Sequence, residues 1–229
     1  MKIKKALKDG YKILIKNKII FLPALIISLV GICRKQILLF YPSSIFYMIS
    51  LSLIEILMTI FFSGVIIRMA YKAKMKRKMS FSKEMGFVAK KYLTLIIAGV
   101  IYFCIVFAGL IAFIIPGIYL GIRLFFYDFS ILIDNQKAIS SFKKSWKITK
   151  KNFWSIFALS LILVLISFLI GFLPLLLIIG IIVGFLPLAI TFLPQAIDII
   201  VFILSIFIVT WAYCVYTCAY LQLKRKSRR

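Results

Sequence analysis

Apolar runs that reach or approach the length of a bilayer crossing recur six times along this chain, with short blocks of lysine and arginine between them. A membrane helix takes about 20 apolar residues, within a range of about 17–25. The runs are 19–33, ending at Arg34-Lys35; 45–70, holding Glu55; 92–115, stopped by Pro116-Gly117; 118–133, holding Arg123 and Asp128; 153–172; and 196–223. Hydrophobic residues make up 64% of the chain, whereas soluble domains hold about 45–50%. No soluble interior hides that surplus, so it faces lipid. No polar stretch is long enough for a separate soluble domain, and the chain reads as one integral membrane domain, 1–229.

Charge orders the runs. Lysine and arginine number seven in 1–18, nine in 68–91, six in 137–151 and five in 224–229, together 27 of the 30. Short cytoplasmic loops carry such an excess. Six spans with both termini inside place all 27 on one side. The apolar segment 173–195 is broken by Pro174, Gly180, Gly184, Pro187 and Pro194. As a seventh span it would carry the basic tail outside, so it reads as an outer re-entrant or interfacial piece. The N-terminus reads as retained, because seven lysines precede Ile19 and no small-residue cleavage site follows the first run.

A repeat joins distant parts of the chain. At a constant offset of 135, Lys8, Lys12, Ile13, Lys16 and Asn17 match Lys143, Lys147, Ile148, Lys151 and Asn152, and Tyr11 meets Trp146. Both segments lead into a span, and 81–92 stands in the same position before the third. Apolar stripes at helical spacing run through all three: Ile3, Leu7, Tyr11, Leu14; Phe81, Met85, Val88, Tyr92; Ala138, Phe142, Trp146, Phe153. An apolar stripe opposite lysines describes a helix lying in the membrane interface. The expected fold is therefore all-α: a polytopic bundle of six transmembrane helices with three inner-face amphipathic helices. It divides into three hairpin units, about 1–71, 80–134 and 136–223.

The residue inventory argues against catalysis. The chain has no histidine, which removes histidine-based triads and imidazole metal sites, and it has no phosphate-loop or dinucleotide motif. No cofactor and no metal site is expected. Cys33, Cys104, Cys214 and Cys218 lie in or beside apolar runs and read as packing residues. Asp9 and Glu84 read as solvated charges among lysines, and Asp134 as the end of a span. Glu55, Arg123 and Asp128 are the candidate binding residues, because ionisable groups inside a span face a partner or a wet cavity. A structural ion pair between Glu55 and Arg123, across the second and fourth spans, is the preferred reading; a substrate or proton path is the alternative.

Pro116-Gly117-Ile118-Tyr119, Arg123, the run from Ala138 to Ser145, Trp146 and Phe153-Trp154 together resemble a prokaryotic family of membrane proteins. It includes the membrane domain attached to some glycerophosphoryl diester phosphodiesterases. The resemblance covers 116–157 and implies the membrane architecture. The catalytic barrel of that fusion has no counterpart here, so its activity does not transfer. These readings predict a non-enzymatic multi-pass protein of the cell membrane with a lipid-associated organising, sensing or scaffolding role. Its partners are then membrane lipids, with anionic headgroups at the inner face, and an unidentified membrane protein. Nucleic acid is not expected, because the basic residues lie in short blocks between apolar runs. A small transporter or permease component is the alternative.

Overall fold

The computed structural model describes residues 1–41, 45–185 and 189–227, with side chains described except at 39, 171 and 173–199. Nine helices follow one another among the described residues: α1 (Ile3–Lys16), α2 (Phe21–Phe40), α3 (Ile45–Lys74), α4 (Phe81–Ala112), α5 (Ile114–Leu124), α6 (Tyr127–Asp134), α7 (Ala138–Thr149), α8 (Phe153–Phe185) and α9 (Ala189–Ser227). Short 3-10 turns at Lys18–Ile20 and Lys150–Asn152 join α1 to α2 and α7 to α8. No strand occurs among the described residues. Among the described residues, six helical stretches are long and apolar enough to cross a membrane: Lys18–Leu38, Ile45–Lys74, Phe81–Ala112, Ile114–Asp134, Ala138–Ile170 and Ile200–Ser227. The protein is a multi-pass helical membrane bundle.

The four basic blocks meet at one end of this bundle. The Met1 ammonium donates to Asn152 Oδ1 (3.2 Å), and the Lys2 backbone N–H donates to Gln222 Oε1 (3.1 Å). Lys74 pairs with Asp9 (2.7 Å), Arg68 with Glu84 (3.0 Å) and Lys144 with Asp134 (2.6 Å), while Lys224 also reaches Asp134. The packed core lies in the same half. Its members include Leu14, Val65 to Ile67, Val88, Phe126, Phe129, Ile156 and Tyr220. Towards the other end the helices present apolar side chains outward, among them Phe46, Phe103, Ile111, Phe113, Val164 and Phe168, as lipid-facing surface requires.

The repeat predicted from the sequence has a structural counterpart, on a face rotated from the expected stripes but overlapping them: Leu14 is buried, and Ile3, Leu7, Ala138 and Phe142 pack against the core. Ala6, Gly10, Ile13 and Leu14 of α1 are buried, and at the same offset of 135 so are Ser141, Ser145, Ile148 and Thr149 of α7. Tyr11 and Trp146, members of the expected stripes, are 50% and 38% exposed. Small residues take the buried face because they let helix backbones approach closely. A β-carbon on Gly10 would stand 2.5 Å from Val215 Cγ2 and 2.9 Å from Val215 Cα, so α1 lies against α9 and does not rest on the membrane surface alone. The third expected interfacial helix is not separate: 81–92 is the beginning of the continuous α4.

Two further boundaries move. The basic pair Arg34-Lys35 does not end the first span, since α2 continues to Phe40. The expected break at Phe172 is absent: α8 runs to Phe185 and α9 starts at Ala189. At 33 residues α8 extends about 50 Å, well beyond a hydrocarbon core of about 30 Å. Residues 186–188 and the side chains of 173–199 lie outside the described residues, and with them the re-entrant or interfacial placement of 173–195.

Candidate functional site

The fourth span is where local sequence and function meet. A single extended residue, Phe113, turns α4 into α5. Pro116 sits in the first turn of α5, where no intrahelical donor is required. Gly109 and Gly117 make the close hairpin possible, since a β-carbon on Gly117 would fall 2.5 Å from the Leu110 side chain. The span then breaks at Phe125-Phe126, between α5 and α6. In a bilayer the backbone groups freed by such a break need partners inside the protein. The Ser145 hydroxyl supplies two, donating to the Arg123 carbonyl (2.9 Å) and accepting from the Phe126 N–H (3.1 Å). The Thr149 hydroxyl lies 3.1 Å from the same carbonyl and 2.8 Å from that of Ser145. The buried polar stripe of α7 thus clamps the broken span and fixes Arg123 at the end of α5.

Arg123 is 2% exposed. Its guanidinium lies over the Trp146 ring, 4.0 Å from the centroid, and 5.6 Å from that of Tyr119. Among the described residues no carboxylate pairs with it, and its Nε has no hydrogen-bond partner. It opens on a cavity of about 460 Å³ that is also lined by Tyr119, Lys150, Lys151, Asn152, Phe153, Trp154 and Ser155. Every charged group on that wall is positive. Positive charge continues behind Asn152, whose Oδ1 accepts from both the Met1 ammonium and Lys226 (3.4 Å). Burial first, then the neighbouring Lys226 charge, push the Met1 amino group below its usual pKa. A second basic cavity, about 410 Å³, is lined by Gln136, Lys143, Lys144, Lys147, Ile148, Lys224 and Ser227. There Lys144 and Lys224 are already committed to Asp134, whereas no carboxylate lines the Arg123 cavity.

The three candidate residues named from the sequence occupy three separate environments. Glu55 does not pair with Arg123. Its carboxylate takes Arg34 Nη1 at 3.0 Å, because α2 continues past Arg34 and lies alongside α3. Asp128 stands in the first turn of α6 and accepts from the Phe129 N–H (2.8 Å). It faces an interior cavity of about 150 Å³ with Thr59, Ser63, Tyr127 and Tyr213, and no lysine or arginine pairs with it among the described residues. Glu84, expected in solvent, is 3% exposed; it binds Arg68 and, at 3.5 Å, Lys72. Asp134 does end its helix, and Asn135 adopts the left-handed cap (φ 56°). Lys150 belongs to the site without having stood out in the sequence, while Lys151 and Ser145 stood out there only as parts of the repeat and of the resemblance. Their signal was the pairing of a small-residue stripe with a lysine doublet at the next helix start.

A family model described as a domain of unknown function (DUF7847) matches residues 79–223. The chain belongs to that family, and the match contains Arg123, Trp146 and the whole wall of the cavity around them. Comparison with curated proteins and with solved structures gives no match.

Proposed function

We propose that this member of the DUF7847 family is a non-enzymatic protein of the cell membrane that engages anionic lipid at its basic end, with an organising, sensing or scaffolding role. In this reading the basic end and both termini face the cytoplasm. The observation that carries it is the charge imbalance at that end. The three acids there, Asp9, Glu84 and Asp134, engage five of the 27 basic residues: Arg68, Lys72, Lys74, Lys144 and Lys224. The rest meet no carboxylate among the described residues, and α1 holds Lys4, Lys5, Lys8, Lys12 and Lys16 outward. Each lysine or arginine close to an anionic leaflet contributes about 1 kcal/mol. By its sequence resemblance the chain would be a membrane module of the kind attached to some glycerophosphoryl diester phosphodiesterases, without the catalytic barrel.

The test is the lipid that travels with the protein. Extracted with its native lipid in polymer-bounded discs, the full chain should carry more anionic lipid than the bulk membrane. Replacing Lys4, Lys5 and Lys8 with glutamine should reduce that enrichment. A lipid composition equal to the bulk, unchanged by the triple substitution, overturns the reading.

The Asp128 cavity favours a second reading, a small transporter or permease component. A carboxylate without a cationic partner among hydroxyl side chains inside a bundle suits proton or cation passage. Proteoliposomes showing a proton or cation flux that Asp128→Asn abolishes would select it over the first.

A further inference from the structure

We infer that the cavity under Arg123 binds a phosphate group, presented as the headgroup of an anionic glycerophospholipid, with Arg123, Lys150 and Lys151 as its cationic ligands. The inference deepens the lipid reading above and rests on it for the source of the phosphate.

Three independent observations lead here. The first is Arg123 itself. A guanidinium carries five N–H donors in a fixed fork and no acceptor, so a buried one calls for oxygens around it. Stacking on Trp146 offsets only part of the desolvation of a buried cation, and its Nε still lacks an acceptor. The second is the wall. Lys150 and Lys151 come from the 3-10 turn and Ser155 from the first turn of α8, which adds two ammonium groups and a hydroxyl donor with no carboxylate to compete. A phosphate offers oxygens on several sides, and a planar guanidinium with flanking ammoniums meets that shape. The third is the rim. Trp154 is 76% exposed and stands beside Phe153 in a T-shaped contact (5.5 Å between centroids). Aromatic rings of this kind sit at headgroup level, where one side is wet and the other meets acyl chains. A volume of about 460 Å³ lies within the usual range for small-molecule sites, roughly 300–1,000 Å³, and admits a headgroup while the chains stay outside.

Purified full-length protein, reconstituted in nanodiscs of phosphatidylglycerol with phosphatidylcholine, gives the decisive comparison. The readout is the number of phosphatidylglycerol molecules retained per protein in native mass spectrometry during displacement by detergent. Arg123→Gln should weaken retention of one molecule by about tenfold or more, equivalent to about 1.4 kcal/mol. Arg123→Lys should recover part of it. Should Arg123→Gln fail to fold, the Lys150→Gln/Lys151→Gln double variant, altered only at exposed positions, should show the same loss. Lys4→Gln/Lys8→Gln removes as much charge from α1 and should leave this one molecule in place while reducing general anionic enrichment. Equal losses from the α1 and cavity variants overturn the specific site but preserve the general lipid reading. Wild-type retention in both cavity variants overturns the inference outright. Equilibrium dialysis of inorganic phosphate against detergent-solubilised protein separates the sources. Tight phosphate binding lost in Arg123→Gln, without retained phosphatidylglycerol, supports the phosphate chemistry and overturns the lipid as its source.

Discussion

Alanine at 145 and valine at 149 remove the hydroxyls of Ser145 and Thr149 with little other change to the side chain, so their contribution can be isolated. Ser145→Ala leaves the Phe126 N–H and part of the Arg123 carbonyl without a partner in a dry interior, which costs about 1–3 kcal/mol. Thr149→Val should cost less, because the carbonyl keeps Ser145. Thr217→Val is the matched control, since among the described residues that hydroxyl bonds only the Tyr213 carbonyl of its own helix. Thermal unfolding in detergent should rank the three variants in that order, and equal midpoints would show that the break is held by other means. At this scale the sequence was only partly legible. The location of Glu55 and Arg123 within apolar runs was readable from charge alone. Their partners were not, because pairing depends on where α2 ends and where the fourth span breaks. Arg34 looked like the outer flank of a short span, and nothing in the run 118–133 marks Phe125-Phe126 as a discontinuity. Ser145 and Thr149, which compensate it, lie about twenty residues downstream and become meaningful only once α7 folds back.

Glycines separate what the helices need from what they tolerate. Gly10→Val would drive a branched side chain into the Val215 backbone, and overpacking of this kind costs about 1–3 kcal/mol. Gly86, in α4, has open space where a β-carbon would stand, with nothing within 4 Å. Gly86→Ala should therefore raise stability by about 0.5–1 kcal/mol through helix propensity. Opposite shifts of the unfolding midpoint are expected from two glycines in two basic amphipathic segments; shifts of the same sign would mean that α1 does not rest on α9. The number and order of the long helices were legible because hydropathy alone demands them. The burial of the amphipathic segments was legible only in part, at Leu14 and Val88, because bulky apolar residues dominate any hydrophobic pattern. Ala6 and Gly10, or Ser141 and Ser145, contribute little to such a pattern, yet they decide which face lets another backbone approach.

For the whole molecule, the gathering of all four basic blocks at one end makes orientation a single binary question. A reporter fused after Arg229 and one fused before Met1 should both be active only on the cytoplasmic side; activity of either on the outer side would reverse or break the proposed arrangement. The same end joins the beginning of the chain to its last helix, through Gly10 against Val215 and Lys2 against Gln222. That contact sets a schedule for biogenesis. At translation rates of roughly 5–20 residues per second, about 200 residues of synthesis separate the emergence of α1 from that of its partner, an interval on the order of ten to forty seconds. During that interval α1 needs a place to wait. Its stripe of Ile3, Leu7 and Tyr11 among lysines suits the lipid surface until the core forms and takes in Ile3 and Leu7, while the small residues Ala6 and Gly10 suit the later docking. One short helix thus carries two addresses used at different times. The Gly10→Val variant distinguishes them: its α1 should still reach the membrane during synthesis but remain open to protease after the chain is finished, whereas the wild-type segment becomes protected only when α9 arrives.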